Sequence, residues 1–180
     1  MSGVSKAIVQ PLLSWYDAGH RDLPWRSEPA PYRVWVSEIM LQQTRVEAVR
    51  GYFSRWMNAL PDIPALAAAD EAVYTKLWEG LGYYSRVRNL HRAAILLCEE
   101  YGGELPADYD RLLALPGVGE YTAGAVASIA FGLPVPAVDG NVLRVAARLD
   151  NDFTPITDAK FKKQTRERFA ALMPSDRPGD

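Results

Sequence analysis

The chain has 180 residues, 48% of them hydrophobic, which suits one good-sized domain or two small ones with an ordinary core and excludes a disordered chain. Lys plus Arg number 20 and Asp plus Glu 22, a net charge of -2, so overall charge points to no nucleic acid and any basic surface must be local. A single cysteine, Cys98, excludes a disulfide framework and any multi-thiolate metal or iron–sulfur site built from these residues alone.

From the N-terminus, residues 1–16 lack a long apolar run and carry Gln10 and Pro11, so a secretory leader is not expected. Apolar residues at positions 4, 8, 12 and 16 predict an amphipathic helix over Val4 to Ala18. Residues 19–31, with Gly19, Pro24, Pro29 and Pro31, read as a loop. Tyr32 to Leu41 resumes helical character behind Pro31, which is acceptable at a helix start. Thr44 and Glu47 have capping-box spacing and predict a helix through Ala59, stopped by Pro61. Asp70 is the expected cap of another helix ending near Gly80 or Gly82. A longer helix spans Tyr84 to Tyr101 and closes at Gly102 and Gly103.

Asp108 to Ala114 predicts a short helix and 115–119, L-P-G-V-G, a tight hairpin. Glu120 to Phe131, Gly140 to Leu149 and Asp158 to Met173 complete the helices, and no alternating β-branched run suggests a strand. The uncharged stretch from Tyr121 to Val138 approaches a membrane span in length, but its glycines, prolines, Thr122 and Ser128 fit a buried helix and a Pro-rich turn better. The expected fold class is all-α, in a soluble cytoplasmic chain without a membrane partner.

Local charge is uneven. Residues 97–120 hold six acids against Arg111, whereas 81–95 hold Arg86, Arg88 and Arg92 without an acid, interleaved with Tyr83, Tyr84 and His91. Residues 160–168 hold Lys160, Lys162, Lys163, Arg166 and Arg168 against Glu167. Basic and aromatic residues together suit phosphates and unstacked bases, although charge alone favours a solvated helix face.

Three features carry candidate chemistry. Gly117 and Gly119 precede a helix N-terminus, a plausible phosphate seat or an ordinary helix–turn–helix corner. Glu38 projects among Val34, Trp35 and Leu41; desolvation there would raise its pKa and suit it to general-acid work, or a backbone or Arg partner would satisfy it. Asp139, before Gly140 and Asn141, reads first as a helix N-cap. If it lies near Glu38, the pair would hold one protonated and one charged carboxyl, which is how acid catalysis and cation stabilisation combine beside a sugar.

The segments L-P-W-R at 23–26, P-Y-R-V-W-V-S-E-I-M-L-Q-Q-T at 31–44, W-E-G-L-G-Y-Y-S-R-V-R-N-L-H at 78–91, L-P-G-V-G-E-Y-T-A-G-A-V at 115–126 and V-D-G-N-V-L-R-V at 138–145 occur in one order. Together, over roughly residues 5–175, they closely resemble the MutY-type adenine DNA glycosylases of the helix–hairpin–helix superfamily, which includes endonuclease III. The hairpin alone would indicate only the superfamily.

The resemblance implies removal of adenine opposite 8-oxoguanine or guanine in double-stranded DNA, after the adenine is flipped out of the stack. It assigns Glu38 to protonating the base and assisting water, and Asp139 to stabilising or trapping the sugar cation, with Asn141 and Tyr121 supporting them. Bifunctional relatives carry a Schiff-base lysine where this chain has Tyr121, so strong strand cleavage is not expected. Leu23, Trp25 and Arg26 would border the adenine. Gln43 and Tyr83 would wedge into the duplex, and Thr44 and Leu81 would lie near 8-oxoguanine. Arg86, Arg88, Gly117, Val118 and Gly119 are the remaining candidate DNA contacts. The carbonyls of Leu113, Leu115 and Val118 would hold a monovalent cation.

The resemblance also implies a central domain over 23–134 and a second helical domain formed by 1–22 with 135–180. Family members continue into four cysteines that bind an iron–sulfur cluster and then a lesion-recognition domain. The sequence ends before these, so a fragment without the cluster is expected, monomeric and nucleoid-associated. Two other readings stay open: a catalytically incomplete DNA-binding core, and an endonuclease III-like glycosylase with lyase activity.

Overall fold

A computed structural model describes residues 6–180, and among these every regular element is helical. A 3₁₀ turn over Lys6–Ile8 leads into α1 (Val9–Gly19), followed by α2 (Pro31–Leu41), α3 (Val46–Ala59), α4 (Ile63–Ala67) and α5 (Glu71–Trp78). Then come α6 (Ser85–Tyr101), α7 (Tyr109–Leu113), α8 (Glu120–Phe131), α9 (Gly140–Asp150) and α10 (Ala159–Leu172). The all-α class read from the sequence is the one observed. No helix among the described residues is long and apolar enough to cross a membrane.

Two helices form the axis of the core because they are apolar on nearly every side. In α2, Tyr32 and all residues from Val34 to Met40 are buried; in α8, all residues from Thr122 to Ser128 are. The small residues of α8 let α2 and α7 pack against it closely. Trp35, Trp56 and Trp78 fill the remaining volume, with Trp56 edge-on to Trp78 at 5.6 Å. Trp56 Nε1 donates to the Tyr32 hydroxyl at 3.0 Å, which donates to the Leu60 carbonyl at 2.9 Å, so the polar ends of the Trp56 and Tyr32 rings are satisfied inside.

This core runs from Leu23 to Ala127, and α1, α9 and α10 contribute no buried residue to it. Those three helices lie outside it, each with its own few buried residues: Leu13, then Leu143 and Ala146, then Phe161 and Thr165. Ion pairs tie them in: Arg166 to Glu120 at the start of α8, Arg168 to Asp150 at the end of α9, and Arg177 to Asp17 on α1.

Local chemistry accounts for the helix ends, with four departures from expectation. Thr44 does not cap α3; Arg45 holds that position without a side-chain bond, and Thr44 Oγ1 turns back to the Gln42 carbonyl at 3.4 Å. Helix α4 follows directly on Pro61, in a stretch where the sequence predicts no helix. Asp62 caps it through the Ala65 N–H at 2.8 Å, and Pro64 sits in the first turn, where a missing N–H is harmless. Asp70 occupies its N-cap position without making the side-chain bond. Of the expected first helix, Val4 lies outside the described residues, and Leu12 is 50% exposed, so the inward face runs through Leu13 instead.

Gly124 shows how tightly α8 is enclosed. A Cβ there would lie 2.7 Å from the Pro136 carbonyl oxygen, in the segment that leads to Asp139. Ala is ordinarily favoured over Gly inside a helix by about 1 kcal/mol. Here backbone must move, so Gly124→Ala is expected to destabilise by about 1–3 kcal/mol. A lowered thermal unfolding midpoint checks this; a raised one would reverse the reading.

Candidate active site

Helix α2 delivers Glu38 from inside the protein. Ser37 beside it is satisfied by donating to the Val34 carbonyl at 2.8 Å, while the Glu38 side chain, on a residue only 8% exposed, faces the start of α8. The Tyr121 hydroxyl faces its carboxyl there and favours the charged form. Burial pushes the Glu38 pKa above the ordinary carboxylate value; the Tyr121 hydroxyl and the Arg26 charge pull it down by less, and the negative charge of Asp139 pushes it up again. Burial likewise raises the Tyr121 hydroxyl, with Glu38 adding to the effect.

Asp139 is the N-cap of α9. Its Oδ1 accepts from the backbone N–H groups of Asn141 and Val142, both at 2.8 Å, and Oδ2 accepts from Asn141 Nδ2 at 2.7 Å. Three donors therefore fix the carboxylate. The cap reading and the functional reading of Asp139 are compatible, because the cap sets the orientation.

A cleft of about 680 Å³ opens over Glu38, within the range of small-ligand sites. Leu23, Trp25, Arg26 and Tyr121 line it; Leu23 and Trp25 are buried and Arg26 is exposed. An adjoining cavity of about 340 Å³ holds Asp139 and shares Tyr121 and Val142 with the first. The structure thus gathers Glu38, Tyr121, Asp139, Asn141 and the three expected base-pocket residues around one place.

The segment Asp176–Asp180 lines the larger cleft too, and the sequence gives no local signal of it. Arg177 reaches Asp17 across the fold, and Gly179 lies so close to Ser128 and Ile129 that a Cβ would come within 2.8 Å of backbone atoms of both.

Of the remaining candidates, Gln43 and Thr44 lie on the turn after α2, Leu81 and Tyr83 on the turn before α6, and Arg86 and Arg88 on α6 itself. Gln43 and Tyr83 both have left-handed backbone, φ 58° and φ 48°, a conformation costing about 1–3 kcal/mol for a residue other than glycine. Both are exposed, Tyr83 by 64%. Thr44 is half-buried and Leu81 buried. Arg88 lies on the surface, paired with Glu71 at 3.0 Å. The guanidinium of Arg86 is instead directed inward onto backbone carbonyls, so it is not the free surface cation that the charge pattern suggests.

In the hairpin, Gly117 has φ 77°, and a Cβ would meet Asn89 Cβ at 2.7 Å, so glycine is required on both counts. Gly119 is the N-cap of α8, with open space where a side chain would be. The Leu115 carbonyl accepts the Val118 N–H at 3.1 Å and keeps a second lone pair. With the carbonyls of Leu113 and Val118, it offers the all-oxygen donors an alkali cation takes. Among the described residues, no three His, Cys, Asp or Glu side chains come together as a metal site. Cys98, half-buried on α6, is one thiol, which does not fit an iron–sulfur cluster.

Residues 36–173 match the family described as HhH-GPD superfamily base excision DNA repair protein. The adenine DNA glycosylase of Mus musculus is 46% identical over 94% of this chain and 35% of its own length. The chain spans about a third of the length of the mouse, rat and human relatives. A thermostable thymine-DNA glycosylase matches with a TM-score of 0.83 and 26% identity, covering 96% of this chain and 80% of the other. A non-covalent endonuclease III–DNA complex matches with a TM-score of 0.79 and 25% identity, covering 98% of this chain and 81% of the other. These likenesses agree with the helix–hairpin–helix resemblance carried by the motifs.

Proposed function

Because the chain belongs to the HhH-GPD superfamily of base excision DNA repair proteins, we propose that it is the catalytic core of an adenine DNA glycosylase that releases adenine opposite 8-oxoguanine or guanine without cutting the strand. The observation that carries this reading is the buried Glu38 carboxyl, beside Tyr121 at the wall of a base-sized cleft, with Asp139 close enough to raise its pKa.

The chemistry follows from the two carboxyls. A base in the helical stack shields its glycosidic bond, so the adenine must first leave the duplex. Tyr83 and Gln43, exposed on their turns, fill the space it vacates, and Leu23, Trp25 and Arg26 receive it. Protonated Glu38 donates to a ring nitrogen of the base. The bond between that base and the sugar then breaks, its electron pair leaving with the base, and positive charge develops on the sugar. The Asp139 carboxylate stabilises that charge. Water adds to the sugar carbon and returns its proton to Glu38, leaving an abasic site.

Tyr121 supports the second half of the reading, since a phenol cannot form the Schiff base needed to cleave the strand. A duplex is the expected macromolecular partner, its phosphates meeting Gly117, Val118 and Gly119 at the α8 N-terminus, where N–H groups and the helix dipole favour an anion. An alkali cation on the carbonyls of Leu113, Leu115 and Val118 would brace that turn.

Single-turnover assays on a duplex with adenine opposite 8-oxoguanine test the reading. Strand breaks are expected only after alkali, with no borohydride-trapped adduct. Breaks without alkali would overturn the assignment of Tyr121. Duplex binding without release would make the chain a DNA-binding core alone.

A further inference from the structure

Seven hydrogen bonds converge on Arg86. Its Nη1 donates to the carbonyls of Ile39 at 3.0 Å, Met40 at 3.2 Å and Gln42 at 2.5 Å. Nη2 donates to those of Leu81 at 3.0 Å and Gly82 at 3.2 Å, and Thr44 Oγ1 lies 3.4–3.5 Å from both nitrogens. The first three carbonyls end α2, where helix carbonyls lack partners and the dipole is negative. The last two belong to the turn before α6, some forty residues on. The guanidinium also lies 5.3 Å from the Trp78 ring centroid and 5.6 Å from that of Tyr83.

Each turn carries one residue in the left-handed region, Gln43 in the first and Tyr83 in the second. Such backbone persists only where the surroundings over-determine it. Among the described residues, Arg86 is the one side chain bonded to the carbonyls of both turns. A phosphate contact would need Nη1 and Nη2, which already donate inward.

We propose that Arg86 is a positioning residue, a strut that locks the α2–α3 turn to the α5–α6 turn so that Gln43 and Tyr83 enter the duplex as one rigid wedge. The wedge rests on the glycosylase reading above; the lock between the turns does not. Lysine cannot replace the strut, having a single nitrogen with three donors in place of a planar fork with five.

Two measurements on Arg86→Lys test this. The first uses no DNA: amide hydrogen exchange should quicken about tenfold in the segments 40–45 and 81–85 together, with α8 unchanged. Exchange altered in one turn only, or in neither, overturns the strut without touching the proposed function. The second reads the wedge, using a duplex with fluorescent 2-aminopurine at the adenine position. The fluorescence rise on binding, and adenine release at saturating protein, should fall by about 10- to 100-fold, and the salt dependence of duplex affinity should stay as in the parent. A shallower salt slope with unchanged release would make Arg86 a phosphate contact after all.

A cycle with Tyr83→Ala separates positioning from general loss of stability. If Arg86 acts through the wedge, Arg86→Lys adds little to the release defect of Tyr83→Ala; independent, multiplying defects would overturn that route.

Discussion

Glu38→Gln is expected to lower single-turnover adenine release by about 10²- to 10⁴-fold, the usual contribution of a positioned general acid. Glutamine keeps the size of the side chain and can still meet the Tyr121 hydroxyl, so the cleft should remain intact. The loss would therefore be in proton delivery and not in binding. In the parent chain, release should fall as pH rises through the elevated Glu38 pKa, because only the protonated carboxyl can donate; the variant's residual rate should lack that fall. Unimpaired release by Glu38→Gln would remove Glu38 from the mechanism.

The same substitution should raise stability even as it lowers release. The folded-state pKa of Glu38 lies above its ordinary value of 4.5, so the folded protein holds the proton more tightly than the unfolded chain does. This contribution is fully present below about 4.5 and is lost as pH rises through the folded value, beyond which a buried charge must be tolerated. Glu38→Gln should therefore unfold at a higher temperature than the parent near neutral pH, with the gap narrowing in acid. A chain that becomes more stable as it loses activity shows strain held for function. A gap that stays constant with pH would contradict the raised pKa.

Local signals served well where the determinants are local. Gly119 and Gly132 bracket α8, and its bounds agree with the sequence reading to the residue. Asp139 was legible as a cap because capping depends on neighbours two and three residues away. The failures have a common physical cause. Thr44 has capping-box spacing, yet its turn is organised by Arg86, 42 residues distant. The left-handed backbone of Gln43 and Tyr83 leaves no trace in composition, since neither is a residue type that favours it. The 176–180 wall of the cleft depends on Arg177 meeting Asp17, 160 residues away. That Glu38, Tyr121 and Asp139 come near one another is likewise long-range. Periodicity could show a carboxyl on an apolar face, but only the order of the motifs suggested its companions.

Asp139 should part its two roles under substitution. Asp139→Ala removes acceptors for the Asn141 and Val142 amides and should cost about 0.5–2 kcal/mol of stability, as lost N-caps do. Asp139→Asn retains a capping oxygen, and asparagine caps about as well as aspartate, so its unfolding midpoint should stay close to the parent's. Release should nevertheless fall by about 10²- to 10³-fold in both, because the charge facing the developing sugar cation is gone. Equal rate losses with unequal stabilities would assign the rate to charge and the stability to capping. An active Asp139→Asn would make this residue a cap and nothing more. The two oxygens are not equivalent: Oδ1 takes both backbone amides, and their positive helix end offsets its charge, whereas Oδ2 meets only the Asn141 side chain. Oδ2 is thus the atom suited to face the sugar, and Asn141 is what aims it. Asn141→Ala leaves both cap bonds and the charge in place, so it should lower release less than Asp139→Asn while leaving the unfolding midpoint nearly unchanged. A larger loss than that of Asp139→Asn would show that Asn141 touches the substrate itself.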